Sequence, residues 1–153
     1  MSEKSTNAEI RVDVNYANDL ITDIFKAKSC NDHEARTIAQ RLSGSNLVGH
    51  DSHGIARVPR YVEWMERGWV FPNLKPEVVI DAGAMGCLDA KQGFGQVAGE
   101  YAVDDGITRA KKHGVSVVGL RNSGHLGRIG DWAERAADAG LISFHFVNVR
   151  CSL

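Results

Sequence analysis

The feature that most restricts the fold is a change of apolar period near residue 75. Upstream of it, apolar residues recur every three or four positions. Leu20, Ile21, Ile24 and Phe25 make one stripe, Ala35, Ile38, Ala39 and Leu42 a second, and Val58, Tyr61, Val62 and Met65 a third. Each reads as the buried face of an amphipathic helix. SCND (29–32) ends the first helix, and Asn31 or Asp32 suits the N-cap of the second, because a short side-chain oxygen accepts a free backbone N–H. Glu34 adds negative charge to that first turn. Gly49 and Gly68 are placed to stop the second helix and a third over 58–67. Only IRVDV (10–14), behind a loose polar tail, alternates apolar and polar and predicts a short strand.

Past Pro72 and Pro76 the pattern switches. Short β-prone runs at 77–81, 85–90, 115–120 and 141–149 alternate with helical segments at 96–112 and 131–139, the last closed by Gly140. Strands alternating with helices pack as an α/β layer. The predicted class is therefore α/β, with a helical domain over 1–75 and an α/β domain over 76–153.

Charge and cysteine usage narrow the partners. Lys+Arg 18 against Asp+Glu 19 leaves a net charge of -1, without the basic field that nucleic acid or an anionic membrane rewards. The opening residues lack the apolar core of a signal peptide and no later run is long enough for a bilayer, so the expected location is the cytoplasm. Cys30, Cys87 and Cys151 are odd in number and form no CxxC pair, which fits a reduced compartment.

The densest chemistry lies in GHDSHGIARVPRY (49–61), between the second and third helices. Reducing a carbonyl beside a carboxylate needs a forked cation to hold the carboxylate and a group that supplies a proton as hydride arrives. His53 and Arg57 qualify as that pair, with Asp51 placed to favour the charged imidazole. A helix-initiating loop with solvated charges fits the same residues. His50 and His53 share an i, i+3 spacing that zinc can use, but no CxxC or HExxH accompanies them and no metal is expected. Ser52 lacks the first glycine of a hydrolase elbow, since His50 stands there. Gly93, Gly95 and Ala98 match G-x-G-x-x-A, yet the acidic residue expected after the next strand is missing, which favours an ordinary glycine turn over a Rossmann fingerprint.

DSHGIARVPRY (51–61) resembles the SHG-x-x-R signature of the malate/L-lactate dehydrogenase family, the type 2 group that includes ureidoglycolate, sulfolactate and diketogulonate reductases. RNSGHLGRIG (121–130) resembles the same family's N-x-x-H-x-G segment, with Asn122, His125 and Gly127 in register, and DAKQGFGQ (89–96) its glycine turn. The resemblance implies a homodimeric, NAD- or NADP-dependent 2-hydroxyacid dehydrogenase whose nucleotide domain is not a Rossmann fold. It further implies His53 as the acid/base, Arg57 as the carboxylate holder, Ser52 as support, and Asn122, Ser123 and Arg128 along the cleft, the first two toward the cofactor. His125 competes with His53 for the acid/base role. Family members run about as many residues again, so the chain reads as an N-terminal fragment. Two other classes stay open: a noncatalytic dimerisation module, and a metal-dependent hydrolase using His50, His53 and His125.

Overall fold

The structure, a computed structural model, describes residues 11–148. Helices α1 (Val14–Ala27) and α2 (Asp32–Leu47) open the chain. The strand expected at 10–14 does not form, and Ile10 lies outside the described residues. Asp13 instead caps α1, its carboxylate accepting from the N–H groups of Asn15 (2.9 Å) and Tyr16 (3.1 Å). A cap that satisfies two free donors of the first turn outweighs an alternation with no neighbouring strand to pair with. Asn31 caps α2 through the Glu34 N–H at 2.9 Å, and Gly49 takes the positive φ (75°) expected at the helix exit.

The helical core joins Ile21 and Phe25 of α1 to Ala35, Ile38, Ala39 and Leu42 of α2, all six buried. Burying side chains such as Phe25, Ile38 and Leu42 contributes about 2 kcal/mol each. Leu20 stands outside the stripe and is exposed, while Ala17, one turn before Ile21, is buried. Two single 3-10 turns, Asp51–His53 and Ile55–Arg57, lead into α3 (Val58–Glu66), which has Pro59 in its first turn. Tyr61 is buried in the core, and Trp64 rather than Val62 packs beside Val58 and Met65.

The second half carries a sheet of order β1-β2-β3: β1 (Glu77–Ala82), β2 (Met85–Asp89) and β3 (Val117–Arg121). The first pair is antiparallel and the second parallel, with α4 (Gly95–His113) as the crossover and α5 (Gly130–Asp138) following. Arg109 pins α4 to the β1–β2 turn by donating to Asp81 (2.6 Å) and the Gly83 carbonyl (2.7 Å), and its Nε is held by Asp105. Arg41 of α2 fastens the helical half to this layer, reaching Glu100 of α4 at 2.6 Å and lying over the Trp132 ring of α5.

The strand expected at 141–149 is a correction. Residues 141–148 form neither helix nor strand, and Ile142, Phe144 and Phe146 are 91%, 83% and 95% exposed; Val149 lies outside the described residues. A strand exists through its ladder, and among the described residues β3 pairs with β2 alone. No described helix is long and apolar enough to cross a membrane.

Candidate active site

The 51–57 turns are held from α2. Asn46 accepts from the Ile55 N–H at 2.8 Å and donates to Asp51 at 2.6 Å, and Gly54 sits so close to its amide that a Cβ would overlap it. This clamp sets His53 and Arg57 at the ends of consecutive turns. Ser52 Oγ lies 3.0 Å from His53 Nδ1, and Arg57 Nε donates to the Ser52 carbonyl at 2.6 Å. Among the described residues the terminal nitrogens of Arg57 have no ion-pair or hydrogen-bond partner, which leaves the fork free for a carboxylate.

His125 arrives from the other half on a loop that extends the β2–β3 ladder past both strand ends. Ala90 N–H donates to the Arg121 carbonyl (3.0 Å), Gln92 N–H to Asn122 (2.6 Å) and Gly124 N–H to Gly93 (2.9 Å). Gly95 then passes against the Gly124 and His125 carbonyl oxygens, leaving no room for a Cβ. The glycines of KQGFGQ thus serve a close approach of two backbone segments, consistent with the turn reading rather than a phosphate cradle.

The two loops bring their imidazoles together. The His53 and His125 rings stack with centroids 5.1 Å apart and planes 25° from parallel, and His50 meets His53 edge-on at 4.4 Å. The Tyr61 hydroxyl is 2.8 Å from His125 Nδ1, Gln96 Nε2 donates to that hydroxyl at 2.6 Å, and Gly127 N–H donates to the same Nδ1 at 3.2 Å. A cleft of about 380 Å³ opens beside them, lined by Val48, His50, His53, Arg128, Ile129 and Gly130. Arg57 faces a second concavity of about 280 Å³, shared with Ser52, Ala56 and Arg60. Among the described residues no three His, Cys, Asp or Glu side chains are grouped to hold a metal ion.

The electrostatics of the site disfavour the charged forms of His125 and His53. Burial, helped by the nearby Arg57 and His53 charges, pushes His125 down to about 4. Burial, then His50 and Arg57, lowers His53 as well. The sequence reading that Asp51 favours the charged His53 is therefore corrected: Asp51 is occupied by the Asn46 amide, and burial with Arg57 close by disfavours the charged ring. Tyr61 is raised by burial to about 12 and remains a phenol.

Because the folded-state affinity of His125 for a proton lies below its unfolded value, its neutral ring favours the fold fully above an ordinary histidine value near 6.5. That contribution drains away as pH falls toward about 4. Urea unfolding should show a loss of up to about 2 kcal/mol between pH 7 and pH 5, tempered by the partial openness of the site. His53 adds in the same direction. His125→Asn should remove more than half of this slope, and an unaltered slope would contradict the shift.

The other expected site residues are less free. Arg128 lines the larger cleft, but Asp131 (2.7 Å) and Glu134 (2.6 Å) neutralise its guanidinium. Asn122, in a left-handed conformation (φ 50°), is bound to the Asp89 carboxylate. Ser123 Oγ donates to the Gly124 carbonyl. Neither Asn122 nor Ser123 lines either concavity. Sequence reasoning missed Tyr61 and Gln96 as site residues. Tyr61 counted only as core, and the available clue was a hydroxyl carried on a buried helix face, which must find a partner. Gln96 carried a similar clue as a lone amide at the start of an otherwise small and apolar turn.

Residues 12–153 match the family model described as malate/L-lactate dehydrogenase. Hydroxycarboxylate dehydrogenase B of Escherichia coli K12 is 42% identical over 139 residues, 91% of this chain and 38% of that protein. L-sulfolactate dehydrogenase of Methanocaldococcus jannaschii is 33% identical over 129 residues, 84% of this chain and 38% of that protein. The structure of malate dehydrogenase from Pyrococcus horikoshii OT3 has a TM-score of 0.82 at 31% identity, covering 86% of this chain and 38% of that one. The chain thus spans well under half the length of the relatives it matches.

Proposed function

The chain belongs to the malate/L-lactate dehydrogenase family, and from that premise we propose that it supplies the substrate-handling half of an oxidoreductase acting at C2 of a small 2-hydroxy or 2-oxo carboxylic acid. The observation that supports this reading most is the stacking of His53 on His125, two rings delivered by separate motifs, within the field of Arg57. A 2-oxo acid offers a carboxylate for the forked guanidinium and a carbonyl oxygen for an imidazole. When bound, a reduced nicotinamide cofactor, NADH or NADPH, would supply the hydride for C2. The cleft beside His53 has the volume for its ring, with Val48 and Ile129 as apolar wall. Asn122 and Ser123, already bonded to Asp89 and Gly124, suit loop-holding better than cofactor contact. Residues 1–75 act here as the helical domain and 76–153 as the first part of the nucleotide-binding domain. A homodimer is part of the same proposal.

In the reducing direction Arg57 holds the carboxylate, Ser52 orients the His53 ring, and His53 or His125 meets the C2 oxygen as it gains its proton. The two rings, not a metal ion, carry the polarising role in this reading. A chimaera tests it: these residues replace the matching segment of the Escherichia coli hydroxycarboxylate dehydrogenase B, and NADH and NADPH oxidation is followed with 2-oxo acids. Turnover supports the proposal; a folded chimaera that binds reduced nicotinamide yet reduces no 2-oxo acid ends it. In the same chimaera Arg57→Lys should raise KM for the acid about tenfold with kcat changed little, since a point charge replaces a planar fork.

A further inference from the structure

Gln96 is fully buried at the start of α4, and its Oε1 has no hydrogen-bond partner, alone in this among the buried side-chain polar atoms of the described residues. An orphaned buried carbonyl costs about 1–3 kcal/mol. Turning the amide over would satisfy it, because Tyr61 could then donate to Oε1. The far end of the network opposes that exchange. Gly127 N–H is aimed at His125 Nδ1 (3.2 Å), so that nitrogen must present a lone pair. The Tyr61 oxygen, 2.8 Å from the same nitrogen, can then approach it only as a donor, its shorter bond sharing the one lone pair with the longer Gly127 contact. A phenol whose single proton is given to His125 meets Gln96 as an acceptor, which requires the N–H side of the amide at 2.6 Å. Gln96, Tyr61, His125 and Gly127 therefore have one mutually consistent set of hydrogen-bond directions, with the orphaned Oε1 as its cost.

We infer that Tyr61, oriented by Gln96, is a positioning residue that together with the Gly127 N–H holds His125 in the neutral tautomer carrying its proton on Nε2. His125 then offers the site a fixed hydrogen-bond donor and no lone pair. Such a neutral imidazole is suited to polarising a carbonyl oxygen without exchanging its proton. Proton transfer falls to His53, whose Nδ1 faces a serine hydroxyl that can either donate or accept and so serves both directions of a reversible reaction. The use of this tautomer rests on the dehydrogenase reading; the tautomer itself does not.

Long-range nitrogen–proton correlation spectra of the histidine rings, recorded on the 153-residue chain across pH 5 to 8, test the inference without any turnover. His125 should show an unprotonated Nδ1 and a protonated Nε2. A wild-type ring protonated on Nδ1 overturns the inference, whatever any variant does. In Tyr61→Phe the neutral ring loses a donor bond worth on the order of 1 kcal/mol, so the proton affinity of His125 should rise about fivefold and the Nδ1–H tautomer should become detectable. A folded Tyr61→Phe chain with the same tautomer and the same affinity overturns it too. These signals are independent of the chimaera's activity, so a failure of the tautomer and a failure of the dehydrogenase reading are told apart.

Discussion

Gly95→Ala should abolish the folded state of this chain or cost it more than about 4 kcal/mol, the range reserved for severe backbone conflict. The added methyl would enter space already taken by the Gly124 and His125 carbonyl oxygens. Neither can retreat easily, because Gly124 N–H is bonded to Gly93 and the segment before it continues the β2–β3 ladder. The loss should surface as a collapse of the urea midpoint, or as a chain without cooperative unfolding. Gly44→Ala is the contrasting case. Gly44 lies inside α2 with nothing within 4 Å of an added Cβ, so alanine there should be neutral or stabilising by up to about 1 kcal/mol. Equal midpoints for the two variants would mean that the two loops do not pack as closely as described.

The second large effect concerns the paired rings in the chimaeric enzyme. His53→Ala should lower kcat by about 10²- to 10⁴-fold, the usual worth of a positioned acid/base. It should also erase the pH dependence that the His53 titration imposes. His125→Ala should lower kcat by a comparable factor while leaving the shape of the pH profile intact, because a ring that stays neutral throughout the working range contributes a donor and no titration. If His53→Ala turns over at the original rate, the proton-transfer role moves to His125. The pairing of rate with profile shape separates the roles, which rate alone would not.

Much of the site was legible because its signals are local. The spacing of Ser52, His53, Gly54 and Arg57 survives directly as two consecutive turns, the stripe at 35–42 became a core face, and so did that at 58–65 with Trp64 in place of Val62. What sequence reading lost depends on distant partners. Gln96 acquires meaning only when Tyr61, remote in the chain, comes within 2.6 Å, and Asn122 loses its expected freedom to an aspartate on another strand. The fate of Arg128 was closer to hand, since Asp131 and Glu134 lie three and six positions on, but nothing local says which of two demands a guanidinium will meet. At 10–14 a capping aspartate overruled an alternation, and at 141–148 a β-prone run stayed unpaired. Both show that alternation specifies a face and not a ladder.

The stacked imidazoles have a further consequence. One is supplied by a helix-to-helix turn and the other by a loop off the sheet, so the proposed reactive arrangement is a property of tertiary structure. A synthetic peptide spanning only the first motif would inherit every one of its side chains and none of the chemistry. Partial unfolding that parts the two segments would disperse the proposed site well before the helices melt.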